Sequence, residues 1–227
     1  MVAKKKNIIR KRSRPIEPKK SFLNMKLIGI LLILIIIIIS VYFIFISFNT
    51  NDENNENPIA LIDTNKGIIQ VELFKDKVPN TCENFIKLAN DNFYDGLVFH
   101  RVIDNFVIQG GGFDSSGASK ESPYGPIDLE IPKKDGELLV KHVDGAISMA
   151  RTSDPNSATS QFFINDGVQS QLEPGGVDPN GYAAFGVVID GIDIVRSIAE
   201  VETTTKNGMQ NWPVNDVIIN SITIEYY

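Results

Sequence analysis

The pattern of apolar and polar residues changes near residue 50. One long uncharged apolar run comes before this point, and short segments of alternating apolar and polar residues come after it. Residues 27–48 carry no charge and consist mostly of Ile, Leu, Val and Phe. At 1.5 Å per residue, 22 residues form a helix of roughly 33 Å, which matches a bilayer core of roughly 30 Å. A helix that is apolar on every side has few places to be buried in a small protein. We therefore predict a transmembrane helix over 27–48.

The sequences that flank this apolar run predict its orientation. Residues 1–26 contain ten Lys or Arg and one acid, Glu17, whereas residues 27–65 contain no Lys or Arg. Because positive flanks stay in the cytoplasm, we predict a basic cytoplasmic tail over 1–26 and an extracytoplasmic C-terminal domain. A cleaved signal peptide is the alternative, but the run is long for one and no A-x-A-like cleavage site follows it. Residues 49–57 are polar and acidic, which predicts a disordered tether.

From residue 58 onwards the pattern is that of short strands and two helices. Ile68 to Phe74 alternates apolar and polar residues, as a half-buried strand does. Helices are predicted to begin at Pro79 and to span Ile192 to Ala199, each with one apolar side. Many short strands with turns rich in Gly and Pro indicate a mainly antiparallel barrel or sandwich, and the pattern does not choose between them. The other predicted strands are Val98–Val102, Phe106–Gln109, Ile127–Glu130, Gly145–Ala150, Gln161–Ile164, Ala184–Ile189 and Val217–Tyr226.

Charge and cysteine content narrow the classes of function. The formal net charge of −6 combines a basic tail with a remainder that holds 12 Lys or Arg against 27 Asp or Glu. An acidic domain repels nucleic acid, so we predict no nucleic-acid partner. The single cysteine, Cys82, has no partner for an internal disulfide and is predicted to be a buried helix residue. His100 and His142 lack partners at ligand spacing, so neither a metal nor a cofactor is predicted.

Four sequence blocks stand in a fixed order in the C-terminal domain. F-H-R-V-I-D-N-F-V-I-Q-G-G, from Phe99 to Gly111, is followed by S-M-A-R-T, S-Q-F-F-I and A-A-F-G. Together these blocks resemble the peptide-binding face of cyclophilins, a family of peptidyl-prolyl cis/trans isomerases, and the resemblance runs from about Ala60 to the C-terminus. It implies a closed eight-stranded antiparallel barrel capped by two α-helices, formed by residues 58–227. The S-M-A-R-T block is similar to that of prokaryotic members.

The chemistry of X-Pro isomerisation needs no nucleophile, metal or cofactor. Rotation of the amide costs about 18–20 kcal/mol, and an enzyme lowers this barrier by binding the twisted amide better than the planar isomers. An apolar socket for proline, a fixed cationic donor and polar partners for the flanking peptide suffice. The resemblance implies that Arg101, Phe106 and Gln109 are catalytic. It implies that the substrate-binding residues are Met149, Ala150, Arg151, Gln161, Phe163, Leu172 and Tyr182.

These observations predict a monomeric, membrane-tethered peptidyl-prolyl isomerase. Its expected partners are unfolded or proline-containing polypeptides outside the cytoplasm, and the lipid bilayer through residues 27–48. The alternative is a chaperone or scaffold module that binds proline segments in the same groove with little turnover. The presence of Arg101, Phe106, Gln109 and Phe163 favours the enzyme.

Overall fold

The computed structural model describes residues 22–49 and 57–227, and the chain divides into two units between Glu53 and Asn54. The first unit contains helix α1 (Phe22–Asn49), whose side chains are described at residues 28–30 and 32–42. Within the described parts of the chain, no helix reaches the length and apolar character needed to cross a membrane. The predicted transmembrane helix stays a prediction, and most of the predicted tail and tether lies outside the described residues.

The second unit is built on an eight-stranded antiparallel sheet. Along this sheet the strands follow the order β12, β1, β2, β9, β7, β8, β4, β3. These strands are β1 (Ile59–Thr64), β2 (Gly67–Leu73), β3 (Arg101–Ile103), β4 (Val107–Gly110), β7 (Ala146–Met149), β8 (Phe162–Asn165), β9 (Ala184–Asp190) and β12 (Ile219–Glu225). Two separate hairpins are formed by β5 (Lys133–Lys134) with β6 (Glu137–Leu138), and by β10 (Thr203–Lys206) with β11 (Met209–Pro213).

Two helices accompany the sheet, as predicted. Helix α2 (Pro79–Asn90) has proline in its first turn, where the missing N–H is not needed. The preceding Val78 provides no side-chain cap, and the carboxylate of Glu130 accepts hydrogen bonds from the backbone N–H groups of Asn80 (3.2 Å) and Thr81 (2.6 Å) instead. Helix α3 (Ile192–Ala199) buries Val195 and the two residues at its C-terminal end.

The core lies between the curled sheet and the helices. The Phe85 ring, on α2, lies 5.2 Å from that of Phe185 and 5.5 Å from that of Phe162, centroid to centroid. Cys82 is fully buried beside them, as predicted, and burial raises the pKa of its thiol to about 12. This thiol is therefore a packing group and not a nucleophile at neutral pH.

The expected closed barrel is wrong, because the sheet has two edges, β12 and β3. The segment before β3 crosses the gap between these edges by a single bridge, Val98 to Ile218. The Val98 N–H donates to the Phe113 carbonyl, whereas the next N–H, that of Phe99, donates to Val217 on the opposite side. Backbone hydrogen bonds from Gly96 and Phe99 to the carbonyls of Ile219 and Val217, and from Ile219 to Leu97, join this short segment to the β12 side, but β3 itself does not pair with β12. The sheet is curled but remains open.

Candidate active site

A cavity of about 180 Å³ opens beside β3, β4 and β8. It contains eight of the ten predicted site residues, together with two residues that the sequence did not indicate, Val107 and Val177. The eight are Arg101, Phe106, Gln109, Ala150, Arg151, Phe163, Leu172 and Tyr182.

Strand register places the central residues of this cavity side by side. Arg101 on β3 lies opposite Gln109 on β4, and Gln109 lies opposite Phe163 on β8. Directly opposed residues of antiparallel strands project from the same face of a sheet. The short strands therefore align one cation, one amide and one aromatic ring in a single row.

The apolar part of the cavity is a small cluster separate from the main core. Val107, Phe163 and Leu172 are buried together, and Phe106, Ala150 and Tyr182 pack against them. The Tyr182 ring meets the Phe163 ring edge-on at 5.7 Å. This cluster has the size and chemistry of a socket for a proline ring.

Met149 is not brought to this cavity. Its side chain is 1% exposed and packs in the main core, and it does not line the apolar socket. Its predicted part in binding substrate stays a prediction, and its contacts are those of a core residue.

Three polar side chains form a chain of hydrogen bonds along one edge of the socket. Arg101 Nη1 donates to Gln109 Oε1 (3.2 Å), and Gln109 Nε2 donates to Gln161 Oε1 (3.0 Å). Gln161 lies in a second cavity, next to the first, whose other walls include Thr152 and Ser157. A Cβ at Gly112 would lie 2.5 Å from the Gln161 side chain, so a larger residue there would displace that side chain. The hydrogen bond from Arg101 orients the side-chain amide of Gln109, and the hydrogen bond from Gln109 in turn orients that of Gln161.

Arg101 keeps most of its hydrogen-bonding capacity. Its bond to Gln109 is its one side-chain hydrogen bond within the described residues, and it joins none of the ion pairs found there. Its guanidinium carbon lies 5.8 Å from the centre of the Phe106 ring. Burial lowers the pKa of Arg101, but an arginine remains charged at any physiological pH. Its remaining N–H groups have no hydrogen-bond partner among the described residues and can donate to a ligand.

Arg151 is engaged differently, although it lines the same cavity. Its guanidinium donates to the carboxylate of Asp178 (2.6 Å), to the Gly181 carbonyl (2.6 and 3.2 Å) and to the Thr152 carbonyl (2.9 Å). It also lies over the Tyr182 ring at 4.7 Å. Asp178 could not be predicted from the sequence, because the loop that carries it has only the pattern of a run of turn residues.

Neither histidine lines the cavity. His100 is buried against the Phe113 ring, 4.7 Å between ring centres, and burial lowers its pKa to about 4. His142 is also buried with a lowered pKa, and its Nε2 lies 3.1 Å from the Tyr182 carbonyl. Among the residues that the structure describes, no cluster of three or more His, Cys, Asp or Glu side chains is placed to hold a metal ion.

Comparison with known proteins decides the family. The model of the cyclophilin type peptidyl-prolyl cis-trans isomerases matches residues 59–224. The chain belongs to this family. A peptidyl-prolyl cis-trans isomerase of Acinetobacter baylyi is 43% identical to this cyclophilin over 169 residues, which cover 74% of this chain and 86% of the relative. Peptidyl-prolyl cis-trans isomerase B of Escherichia coli is 40% identical, with 71% of this chain and 96% of the relative covered.

A solved structure supports the same assignment. The cyclophilin type isomerase of Cryptosporidium parvum, determined in the presence of the dipeptide Ala-Pro, is 32% identical and superimposes with a TM-score of 0.63. The match covers 74% of this chain and 99% of that one. The domain is therefore a peptidyl-prolyl cis-trans isomerase with the cyclophilin fold. The similar proteins come from bacteria and eukaryotes, so the predicted prokaryotic-like character stays a prediction.

Proposed function

We propose that this cyclophilin isomerises X-Pro bonds of unfolded or proline-containing polypeptides outside the cytoplasm, with Arg101 as the donor that stabilises the twisted amide. The observation that carries the proposal is the position of Arg101, which lines the apolar socket and makes a single side-chain bond within the described residues. The Ala-Pro dipeptide used with the Cryptosporidium parvum relative supports proline as the ligand of the socket.

In this proposal the site works by binding alone. The proline ring rests against Phe106, Phe163 and Leu172 while the preceding part of the peptide turns about the amide. Conjugation is lost in the twisted state, and the freed electron pair of the proline nitrogen then accepts a hydrogen bond from Arg101. Gln109 and Gln161 hold the peptide backbone on either side. A 10⁵-fold acceleration corresponds to about 7 kcal/mol of preferential binding to the twisted state.

The competing role, binding of proline segments without turnover, requires the socket but not the arginine. A module that only holds peptides can gain affinity from such a cation, but it does not need several free donors beside the amide that rotates. The free N–H groups of Arg101 therefore favour turnover over simple binding.

An exchange assay tests this mechanism. Full-length protein in detergent micelles is mixed with an Ala-Pro peptide, and cis/trans exchange is followed on the peptide signals by NMR. We expect acceleration that is unaffected by EDTA, since no step uses a metal. Exchange that stops when EDTA is added would contradict the mechanism.

We also propose that residues 27–48 anchor the enzyme in a membrane, with the N-terminus cytoplasmic and the isomerase domain outside. The support is the uncharged run itself and the ten positive residues before it, with none after it until Lys66. A tether of nine residues, 49–57, reaches at most about 32 Å, which would hold the site close to the bilayer.

Protease treatment of intact cells or spheroplasts that carry protein tagged at both ends tests this topology. We expect the C-terminal tag to be removed and the N-terminal tag to be protected. Protection of the C-terminal tag would reverse the orientation. Release of the domain without its first 48 residues would show that the apolar run is a cleaved signal peptide.

A further inference from the structure

One wall of the socket is a loop, residues 173–181, which we call the rim loop. It leaves the 3-10 turn Ser170–Leu172 and returns where the Tyr182 N–H donates to the Leu172 carbonyl (3.1 Å). In its middle, the Val177 N–H donates to the Gln171 carbonyl (2.8 Å). A Cβ at Gly176 would lie 2.1 Å from that same oxygen, so only glycine permits the approach. The rim loop is therefore folded back on the turn in a defined shape.

Arg151 follows the end of β7 by two residues, and its side chain is hydrogen-bonded to the rim loop. The side chain of Arg151 is 1% exposed, and four hydrogen bonds use its Nε, Nη1 and Nη2 atoms. Three of the four go to the rim loop, at Asp178 and Gly181. The hydrogen bond from Arg151 lowers the pKa of Asp178, because it stabilises the charged carboxylate. Arg151 has little capacity left to bind a substrate itself.

The rim loop places the side chain of Val177 in the wall of the cavity. It is 68% exposed, yet it lines the socket beside Leu172 and Tyr182. An apolar side chain held at the open edge of a binding cavity gains burial only when a ligand covers it. The second cavity, which shares Gln109, Ala150 and Arg151 with the first, lies toward Thr152 and Ser157. Val177 lines only the first cavity, whereas Thr152 and Ser157 line only the second, so the two sets of residues would contact different parts of a peptide that occupies both cavities.

We propose that the rim loop determines sequence preference: Arg151 and Asp178 clamp it in place, and Val177 selects peptides with an apolar residue next to the proline. This inference rests on the proposed function of the socket and names a property of that same site. Arg151 is then a positioning residue, which acts through the loop, and Val177 is the residue that touches the substrate.

The test measures peptide binding by full-length protein in detergent micelles, using NMR titration of peptide signals. Two pairs of peptides differ only beside the proline: Gly-Leu-Pro-Gly with Gly-Asn-Pro-Gly, and Gly-Ala-Pro-Leu with Gly-Ala-Pro-Asn. The variants are Val177→Ala, Asp178→Asn, Arg151→Lys and the double variant of Val177→Ala with Asp178→Asn. Arg196→Lys is the matched control, because Arg196 also pairs with a carboxylate at 2.7 Å, on a surface away from the socket.

We expect the wild type to prefer leucine over asparagine by about fivefold in Kd in one of the two pairs, the scale of one partly buried apolar contact. Val177→Ala should reduce that preference to below about twofold. Asp178→Asn and Arg151→Lys should do the same, and Asp178→Asn should cause no further loss in the Val177→Ala background. Arg196→Lys should leave the preference unchanged.

Three results would overturn the inference. The first is a preference that survives Val177→Ala, and the second is a loss from Asp178→Asn that is equally large in the double variant. The third is a wild type that binds all four peptides equally. If none of the peptides binds at all, the socket is not the substrate site, and both the proposed function and this inference fail together.

Discussion

Two arginines line the same cavity of this cyclophilin and have opposite environments. Arg101, on the short strand β3, makes one bond to Gln109 and keeps its other N–H groups for a ligand. Arg151, just beyond β7, uses three nitrogen atoms in four bonds to carbonyls and to Asp178. The two carry the same charge and line the same cavity, but Arg101 has N–H groups without a partner among the described residues, whereas Arg151 is bonded to the loop that forms the cavity wall. In the proposed mechanism, the hydrogen-bond partners of the two arginines, and not their residue type, distinguish the catalytic residue from the positioning residue.

The largest expected effect comes from removing the free arginine. Arg101→Ala should lower kcat/KM for an X-Pro peptide by about 10²- to 10³-fold, the loss typical of one preorganised donor. The fold should persist, because Arg101 has a single side-chain bond to lose. A protease-coupled assay measures the rate, and circular dichroism checks the fold.

Arg101→Lys separates charge from geometry in the same assay. It keeps the positive charge but loses the planar fork of donors. Activity between those of the alanine variant and the wild type is expected. Wild-type turnover in Arg101→Ala would show that Arg101 does not act on the amide, and the proposed difference in role between Arg101 and Arg151 would then be wrong.

A smaller and different effect is expected from Arg151→Ala. The carbonyls of Thr152 and Gly181 lose their charged donor, so the free energy of unfolding should fall by about 2 kcal/mol. Peptide Kd should rise by about tenfold as the rim loop loosens, while the exchange rate of bound peptide changes little. Urea unfolding and NMR titration measure the two quantities.

The contrast with Arg101 fails if Arg151→Ala slows bound exchange as strongly as Arg101→Ala does. In that case both arginines would act on the amide. Arg196→Ala, which breaks an exposed ion pair with Asp144, is the control for general loss of a surface charge.

The smallest effect on rate is expected from pH, because neither arginine titrates. Between pH 8 and pH 6, kcat/KM should change by less than about twofold. Stability should behave differently, since His100 has a pKa of about 4 when folded and about 6.5 when unfolded. The unfolded chain binds the proton more readily in that window, so the free energy of unfolding falls as pH decreases from 6.5 toward 4.

For His100 this loss amounts to about 1 to 2 kcal/mol between pH 6.5 and pH 5. Urea unfolding at several pH values measures it, and His100→Gln should reduce the dependence to the part that comes from His142, whose pKa burial also lowers. A rate that follows a histidine titration above pH 6 would mean that a group other than the two arginines carries the charge at the site.

The sequence alone predicted the helices better than the strand pairing. Helix α3 was predicted over Ile192 to Ala199 and has those bounds, because its apolar spacing is local information. The strand predicted over Ile127 to Glu130 is wrong: Ile127 forms one bridge to Ala158, and Glu130 turns to the N-terminus of α2. That carboxylate reaches an N–H group 49 residues away, and no local pattern encodes such a partner.

The same difference applies to the candidate site: residues within the ordered sequence blocks were predicted, and residues whose place depends on the folding of a loop were not. The ordered blocks predicted Arg101, Gln109 and Phe163, which strand register then aligns. Val177 and Asp178 were missed, because their importance depends on how a turn-rich loop folds back over the socket. Met149 was predicted from its block; it packs in the main core with Ile147, two residues before it on β7, and its part in binding substrate stays a prediction.

Peptide exchange measured under saturation tests the central claim most directly. An Ala-Pro peptide is held at concentrations that saturate the full-length wild type, Arg101→Ala and Arg151→Lys, and cis/trans exchange of the bound peptide is read from its NMR signals. The account predicts that Arg101→Ala still binds the peptide but exchanges it about 10²- to 10³-fold more slowly. Arg151→Lys should exchange bound peptide at close to the wild-type rate. Fast exchange in Arg101→Ala, or equal slowing in both variants, would contradict the account.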